Sequence, residues 1–270
     1  MDWTSLDQAA RDAAYNNRAA VPASDVMLPR WEADSAALRA ARPGRLDLAY
    51  GPRERNRWDL YPAADPAAPC LVFIHGGYWQ RNAKDTFACC MEGAMARGWS
   101  AALPGYTLAP EASLSDIVAE IRRALDWFAA NRAAHGMAGR VVLSGWSAGG
   151  HLAAMLADHP VVHAVLAISG IFDVTRIRDT YLDAALKLSD ADIAACSPMR
   201  ALPKQRICVT WGAVELPELV RQSTEFAAAR AAAGLPGGAL AVAGANHFTI
   251  MESLRHRQGP LLSAAAALLG

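Results

Sequence analysis

Arg140-Val-Val-Leu-Ser144-Gly-Trp-Ser147-Ala-Gly-Gly150 is the stretch on which the reading of this chain turns. The residues up to Ser144 form a short apolar run, and Ala148 to Asp158 is rich in helix-forming residues. Between them lies Gly145-x-Ser147-x-Gly149, the pattern of a tight strand-to-helix bend that carries an exposed serine. The glycines answer a steric need, because the bend is strained and the helix must approach the strand closely. A helix that starts at such a bend points its unpaired amides at whatever binds there, so the N–H of Ala148 can stabilise a negatively charged oxygen. The plain alternative is a glycine-rich turn arising by chance, and the strand before and helix after it argue against that.

Working outward, Cys70-Leu-Val-Phe-Ile74 is an uninterrupted apolar run, as expected of a strand covered on both faces. Before it, Leu46, Leu48 and Tyr50 alternate with polar or small residues, and Trp58, Leu60 and Tyr61 follow a Gly51-Pro52 break, which predicts an antiparallel strand pair. After it come a helix from about Lys84 to Arg97, a strand around Trp99 to Leu103, and a helix from about Ser113 to His135 with Ile117, Ile121, Ala124, Leu125 and Phe128 at helical spacing. The alternation continues through strands Arg140 to Ser144, Ala164 to Ser169, Arg206 to Trp211 and Ala239 to Ala243, with helices Ala148 to Asp158, Pro217 to Ala233 and a terminal one. Such an order builds an α/β protein with a mostly parallel central sheet of about eight strands and helices on both faces. Gly170 to Pro203 holds only short helical stretches, so the expected lid is small or absent. Asp2 to Pro43 is polar and helix-prone with breaks at Pro22 and Pro29, and residues 1–44 read as a helical arm laid on a single domain that spans 1–270.

Composition narrows the partners. With 53% hydrophobic and 19% charged residues the chain is too apolar for disorder, and 26 basic against 26 acidic residues leave no field that would favour nucleic acid or an anionic membrane. The five cysteines lack CxxC pairing, which argues against structural zinc and for buried reduced thiols. Met1 to Arg11 lacks the basic start and apolar core of a secretory signal, and Leu261 to Leu269 is far shorter than the roughly 20 residues of a membrane span. A cytoplasmic protein with a small-molecule partner is expected, without nucleic acid, membrane, metal or cofactor. Homodimerisation is left open.

Three further segments bear on chemistry. His75-Gly-Gly-Tyr-Trp79 follows the buried strand, and its paired glycines can turn backbone amides inward, so Gly77 and Tyr78 are candidate oxyanion donors while His75 pins the loop. A base for Ser147 is expected late in the chain. His247, in Gly244-Ala-Asn-His-Phe248 just after a strand, fits better than His256 inside the next helical segment. The acid must follow a strand edge between the two: Glu215, in the loop before Pro217, leads, with Asp173 and Glu218 as alternatives. Trp79, Trp146 and Phe172 are candidates for an aromatic-accepting pocket, though aromatic residues beside a buried sheet are more often core.

Taken together these segments resemble the kynurenine formamidase (arylformamidase) branch of the α/β hydrolases. His75-Gly-Gly-Tyr-Trp79, Gly145-Trp-Ser-Ala-Gly-Gly150, Ser169-Gly-Ile-Phe-Asp173, Glu215-Leu-Pro-Glu218 and the residues after it to Ser223, and His247-Phe-Thr-Ile250 look like that family's motifs, as does Tyr15-Asn-Asn-Arg18. The resemblance implies the α/β-hydrolase fold and a Ser147–His247–Glu215 triad working by acyl transfer to water, with N-formylkynurenine or a similar aryl formamide as substrate. One departure is that the family usually shows aspartate where this chain has Glu215, one methylene longer. The branch also includes carboxylesterases, so a small carboxylic ester is the runner-up substrate. A catalytically dead binding protein on the same fold would need a broken triad, and the sequence shows none.

Overall fold

In a computed structural model of the chain, which describes residues 2–42 and 44–270, eight strands join one sheet. They are β1 (Arg45–Ala49), β2 (Arg57–Tyr61), β3 (Cys70–Ile74), β4 (Ser100–Pro104), β5 (Val141–Trp146), β6 (Ala164–Ile168), β7 (Ile207–Gly212) and β8 (Gly237–Val242). Their spatial order is β1-β2-β4-β3-β5-β6-β7-β8. The β1–β2 and β2–β4 pairs are antiparallel and every other pair is parallel. This is the mostly parallel sheet that the strand and helix patterning predicts, in the α/β-hydrolase arrangement that the resemblance implies.

The sheet is covered on both faces because its central strands have no polar face to expose. β3, β4, β5 and β6 are buried at every position. Successive side chains enter opposite apolar layers: Val72 and Ile74 join one, Leu71 and Phe73 the other. The first layer holds residues of α5 (Leu114–Asn131), α6 (Ala148–Met155) and α9 (Pro217–Ala232). The second holds residues of α4 (Glu92–Ala96), α10 (Glu252–Arg255) and α11 (Pro260–Ala267). Between β6 and β7, only a short 3-10 turn, α7 (Asp183–Leu186) and α8 (Asp190–Ala195) are found.

The N-terminal arm contains α1 (Gln8–Ala14), α2 (Asn17–Ala20) and α3 (Ser24–Ala41). Met1 and Pro43, at the ends of the predicted arm, lie outside the described residues. The arm contributes to both layers: Trp3 and Tyr15 pack into the first, Trp31 into the second. It therefore crosses from one face of the sheet to the other. Trp31 has no exposed surface, its ring lies 6.0 Å from Phe87 and 6.1 Å from Trp146, and its Nε1 donates to Glu252 at 2.6 Å.

Two local expectations are corrected. Pro29 does not break the arm: it lies inside α3, where the lost backbone bond is outweighed by burial of Trp31 two residues on. The helix expected over Lys84 to Arg97 is a 3-10 helix over Lys84–Met91 followed by the short α4, a tighter path along which Phe87 to Met91 are all buried. No helix among the described residues is long and apolar enough to cross a membrane.

Because the arm is held by a large buried aromatic residue, Trp31→Ala should lower unfolding free energy by about 3–5 kcal/mol, the usual cost of truncating a buried tryptophan. Urea unfolding followed by circular dichroism measures it. A loss below about 1 kcal/mol would mean that α3 is only loosely attached.

Candidate active site

Ser147 occupies the bend between β5 and α6 with φ 58° and ψ −119°, a conformation that non-glycine residues seldom adopt. Its backbone N–H donates to Ile168 O on β6 at 2.8 Å, and its carbonyl accepts from His151 N–H at 3.0 Å. The bend survives because α6 can lie directly against the end of β3. A Cβ on Gly149 would stand 2.0 Å from Ile74 O, so only glycine fits there. Ala148 is the first residue of α6, and its N–H has no partner within the chain among the described residues.

β3 ends beside this bend, since Ile74 pairs with Gly145 in the parallel register. The turn that follows is left-handed at Gly77 (φ 122°), Tyr78 (φ 51°) and Trp79 (φ 60°). A side chain at Gly77 would collide with Arg81 O, which would lie 2.4 Å from its Cβ. The amides of Gln80 and Arg81 close the turn onto Gly77 O at 3.0 Å each, and those of Gly77 and Tyr78 have no partner in the chain among the described residues. Asn82 Nδ2 donates to Gly76 O at 3.1 Å, and Arg55 holds Asn82 O.

His247 and Glu215 come from the loops after β8 and β7. His247 Nδ1 lies 2.8 Å from Glu215 Oε2, with both side chains essentially out of solvent. Glu215 Oε1 accepts from Ser169 Oγ and from Gly212 N–H, each at 2.6 Å. Three donors thus fix the carboxylate, and the Nδ1 bond orients the imidazole, leaving Nε2 for proton exchange. Trp146 Nε1 donates to His247 O at 2.8 Å, tying the histidine loop to the residue before Ser147. The other two candidate acids are engaged elsewhere. Asp173 accepts from the backbone and hydroxyl of Thr175, while Glu218 pairs with Arg176 and Arg221 at 2.7 and 2.6 Å and accepts from Tyr15 Oη at 2.9 Å. His256 caps the end of α10 and does not line the cavity at Ser147.

Ser147, His247, Gly77, Tyr78 and Trp146 line one small, half-open cavity. No hydrogen bond joins Ser147 to His247; they meet as walls of this cavity, a looseness common before substrate is bound. The cover over it comes from the arm, through Asn16, Asn17, Arg18 and Leu28, joined by Tyr181, whose N–H donates to Asp12 of α1 at 2.7 Å. Tyr78 is pinned to the same arm: its hydroxyl donates to Tyr15 O at 2.6 Å and accepts from Asn17 Nδ2 at 2.9 Å. Neither this cover nor the support of Glu215 by Ser169 is read from the sequence, although Tyr15-Asn-Asn-Arg18 and Ser169 stand in the segments that carry the resemblance.

Trp79 and Phe172, expected as pocket walls, are placed in the core instead, away from the cavity lining. Trp79 turns inward and donates through Nε1 to His151 Nδ1 at 3.2 Å. Phe172 stacks on Phe226 at 4.1 Å. His75 is likewise internal, stacked on Tyr106 at 4.3 Å with Nδ1 near Gly76 O and Nε2 unpartnered. Burial holds the imidazoles of His75 and His151 down at about 3 and about 4, so both are neutral supports.

Away from the cavity, the carboxylates of Asp47, Asp59 and Asp85 lie within 4.8 Å of one another. Lys84 Nζ stands among them at 2.6, 2.8 and 2.8 Å and Arg39 joins from the side, so an ammonium already fills the place a metal cation would take.

The chain is similar to known hydrolases. The BD-FAE family model matches residues 59–165, from β2 into β6. The kynurenine formamidase of Danio rerio is 28% identical over 94% of this chain and 93% of its own length. Esterase LipQ of Mycobacterium tuberculosis is 32% identical over 50% of this chain and 37% of its own. Among solved structures, a Silicibacter sp. protein provisionally assigned as a thioesterase superposes with a TM-score of 0.85 at 29% identity, covering 94% of this chain and 98% of that one.

The two buried neutral histidines make stability depend on pH. In the unfolded chain they take up protons below about 6.5, whereas in the folded protein they do so only near about 3 and about 4. The unfolded state therefore binds more protons across that window, and stability falls as pH drops through it. Between pH 7 and pH 5 each should cost about 2 kcal/mol. Urea unfolding at a series of pH values tests this, with His151→Gln, which keeps one donor and one acceptor, halving the histidine contribution. An unchanged slope in that variant would assign the acid sensitivity to other groups.

Proposed function

We propose that this chain, an α/β-hydrolase of the kynurenine formamidase and carboxylesterase type, cleaves small aryl formamides of the N-formylkynurenine kind through Ser147, as a single domain with its arm as roof. That it is a hydrolase of ester or amide bonds is the premise; the substrate and the residue roles are the proposal. The observation that carries it is the 2.8 Å contact of His247 Nδ1 with the thrice-bonded Glu215, on a cavity that also exposes Ser147.

Ser147 Oγ attacks the formyl carbonyl as His247 Nε2 takes its proton. Glu215 stabilises the imidazolium that forms and keeps its ring in place. The amides of Gly77, Tyr78 and Ala148, free of partners within the chain, bind the oxyanion. Collapse of the adduct breaks the C–N bond, and His247 passes its proton to the leaving aryl amine. Water, deprotonated by His247, then releases formate and restores the serine. The residues in these roles require no metal or cofactor.

A formamide is preferred over a simple ester because the likeness to a kynurenine formamidase runs through 94% of the chain, whereas that to the mycobacterial esterase covers 50%. The second reading, a carboxylesterase, rests on that shorter likeness. Side-by-side rates on N-formylkynurenine and short p-nitrophenyl esters separate the two: a kcat/KM favouring the esters at least tenfold would reverse the order.

Ser147→Ala should lower kcat by roughly 10³-fold or more and abolish labelling by a fluorophosphonate, with folding intact. Glu215→Gln should lower kcat by at least roughly 10²-fold. Glu215→Asp should keep measurable activity, and Asp173→Asn should stay within a few-fold of the wild type. Near-normal turnover by Glu215→Gln beside a crippled Asp173→Asn would move the acid to the end of β6.

A further inference from the structure

The cavity at Ser147 is not electrically neutral. Arg18 and Arg81 stand on its wall, and none of its lining residues is a carboxylate. Arg18 is paired with Asp25 at 2.5 Å, so its charge is already offset. Arg81 has no carboxylate partner among the described residues. Its place is set by the backbone: its N–H bonds Gly77 O at 3.0 Å, so the side chain springs from the turn that presents the unpaired amides of Gly77 and Tyr78. Gln80 Nε2 ties that turn to Leu182 O at 2.9 Å, which brings Tyr181, 37% exposed, to the same part of the wall. The phenol of Tyr181 lies within the field of the Arg81 guanidinium, which partly offsets the effect of burial on it.

A guanidinium with no carboxylate to neutralise it, on a concave wall, attracts anions, and its planar donor fork matches a carboxylate. The acyl side of the cleaved bond meets the amides next to Ser147, while a side chain on the cavity wall meets the remainder of the substrate. We propose that Arg81 is the specificity-determining residue of this cavity, selecting substrates that carry a carboxylate on their leaving-group side. The inference rests on the hydrolase reading of the same cavity, but not on the bond cleaved being a formamide.

The test compares matched substrates that differ in the carboxylate. N-formylkynurenine is set against 2'-formamidoacetophenone, and 3-carboxyphenyl acetate against 3-carbamoylphenyl acetate. The quantity read is the ratio of kcat/KM for the acid to that for its neutral partner. In the wild type this ratio should exceed one and fall as salt is raised, because the attraction is screened. Arg81→Gln should lower it at least tenfold, chiefly through KM of the acid substrate. Arg81→Lys should retain part of it, and Arg122→Gln, on the exposed side of α5, should leave it unchanged.

A wild-type ratio indifferent to salt overturns the proposal without recourse to any variant. So does an Arg81→Gln protein in which acid and neutral rates fall together, since that pattern marks a residue that merely supports the turn. If the formamides are not cleaved but the acetates are, the formamidase reading fails while the acetate pair still decides on Arg81.

Discussion

Everything at this site depends on how closely α6 can lie against the end of β3. With no side chain at Gly149 the helix start meets the carbonyl of Ile74, and a Cβ would have to sit 2.0 Å from that oxygen. That contact holds Ser147 in a conformation its own backbone would not choose. Because Ile74 and Gly145 are paired across the sheet, the turn after β3 and the bend after β5 start at one level. Two segments about 70 residues apart in sequence thus present a hydroxyl and a set of unpaired amides side by side, which preorganises the site before any substrate arrives.

The remaining groups follow from the parallel run of β5, β6, β7 and β8. Their C-terminal ends lie along one edge of the sheet, where ligands of open α/β folds bind. Ser147 follows β5, Ser169 follows β6, Glu215 follows β7 and His247 follows β8. Two carboxylates three residues apart are kept distinct by their surroundings. Glu215 accepts from a hydroxyl, an amide and the imidazole, while Glu218 is neutralised by Arg176 and Arg221 and anchors Tyr15.

What is legible in the sequence is what local pattern determines. Continuous apolar runs announce β3 and β5, and the glycines around Ser147 announce a bend, because each of these is decided within a few residues. Glu215 and His247 can be singled out since they directly follow strands in the chain order this fold uses, and the structure does place them against each other. Trp79 and Phe172 mislead for the complementary reason. An aromatic residue next to a candidate site carries no signal of whether it turns to the cavity or to the core, and the left-handed backbone at Trp79 sends it inward to His151. The arm's place over the cavity is equally hidden, because it is set by contacts with residues far along the chain rather than by its weak apolar periodicity.

Those distant contacts bear on how the protein is made. Trp3 bonds Asp179, Tyr15 bonds Glu218 and Trp31 bonds Glu252, at separations of 176, 203 and 221 residues. The arm leaves the ribosome before these docking partners. The segment that covers the cavity and holds Tyr78 therefore lacks these three hydrogen-bond partners until residues 179, 218 and 252 have followed it. Nascent chains stalled before Glu252 keep the Phe87 and Trp146 rings that pack on Trp31 but lack the carboxylate that accepts its Nε1 hydrogen bond, so this tie of the arm is completed later than its packing.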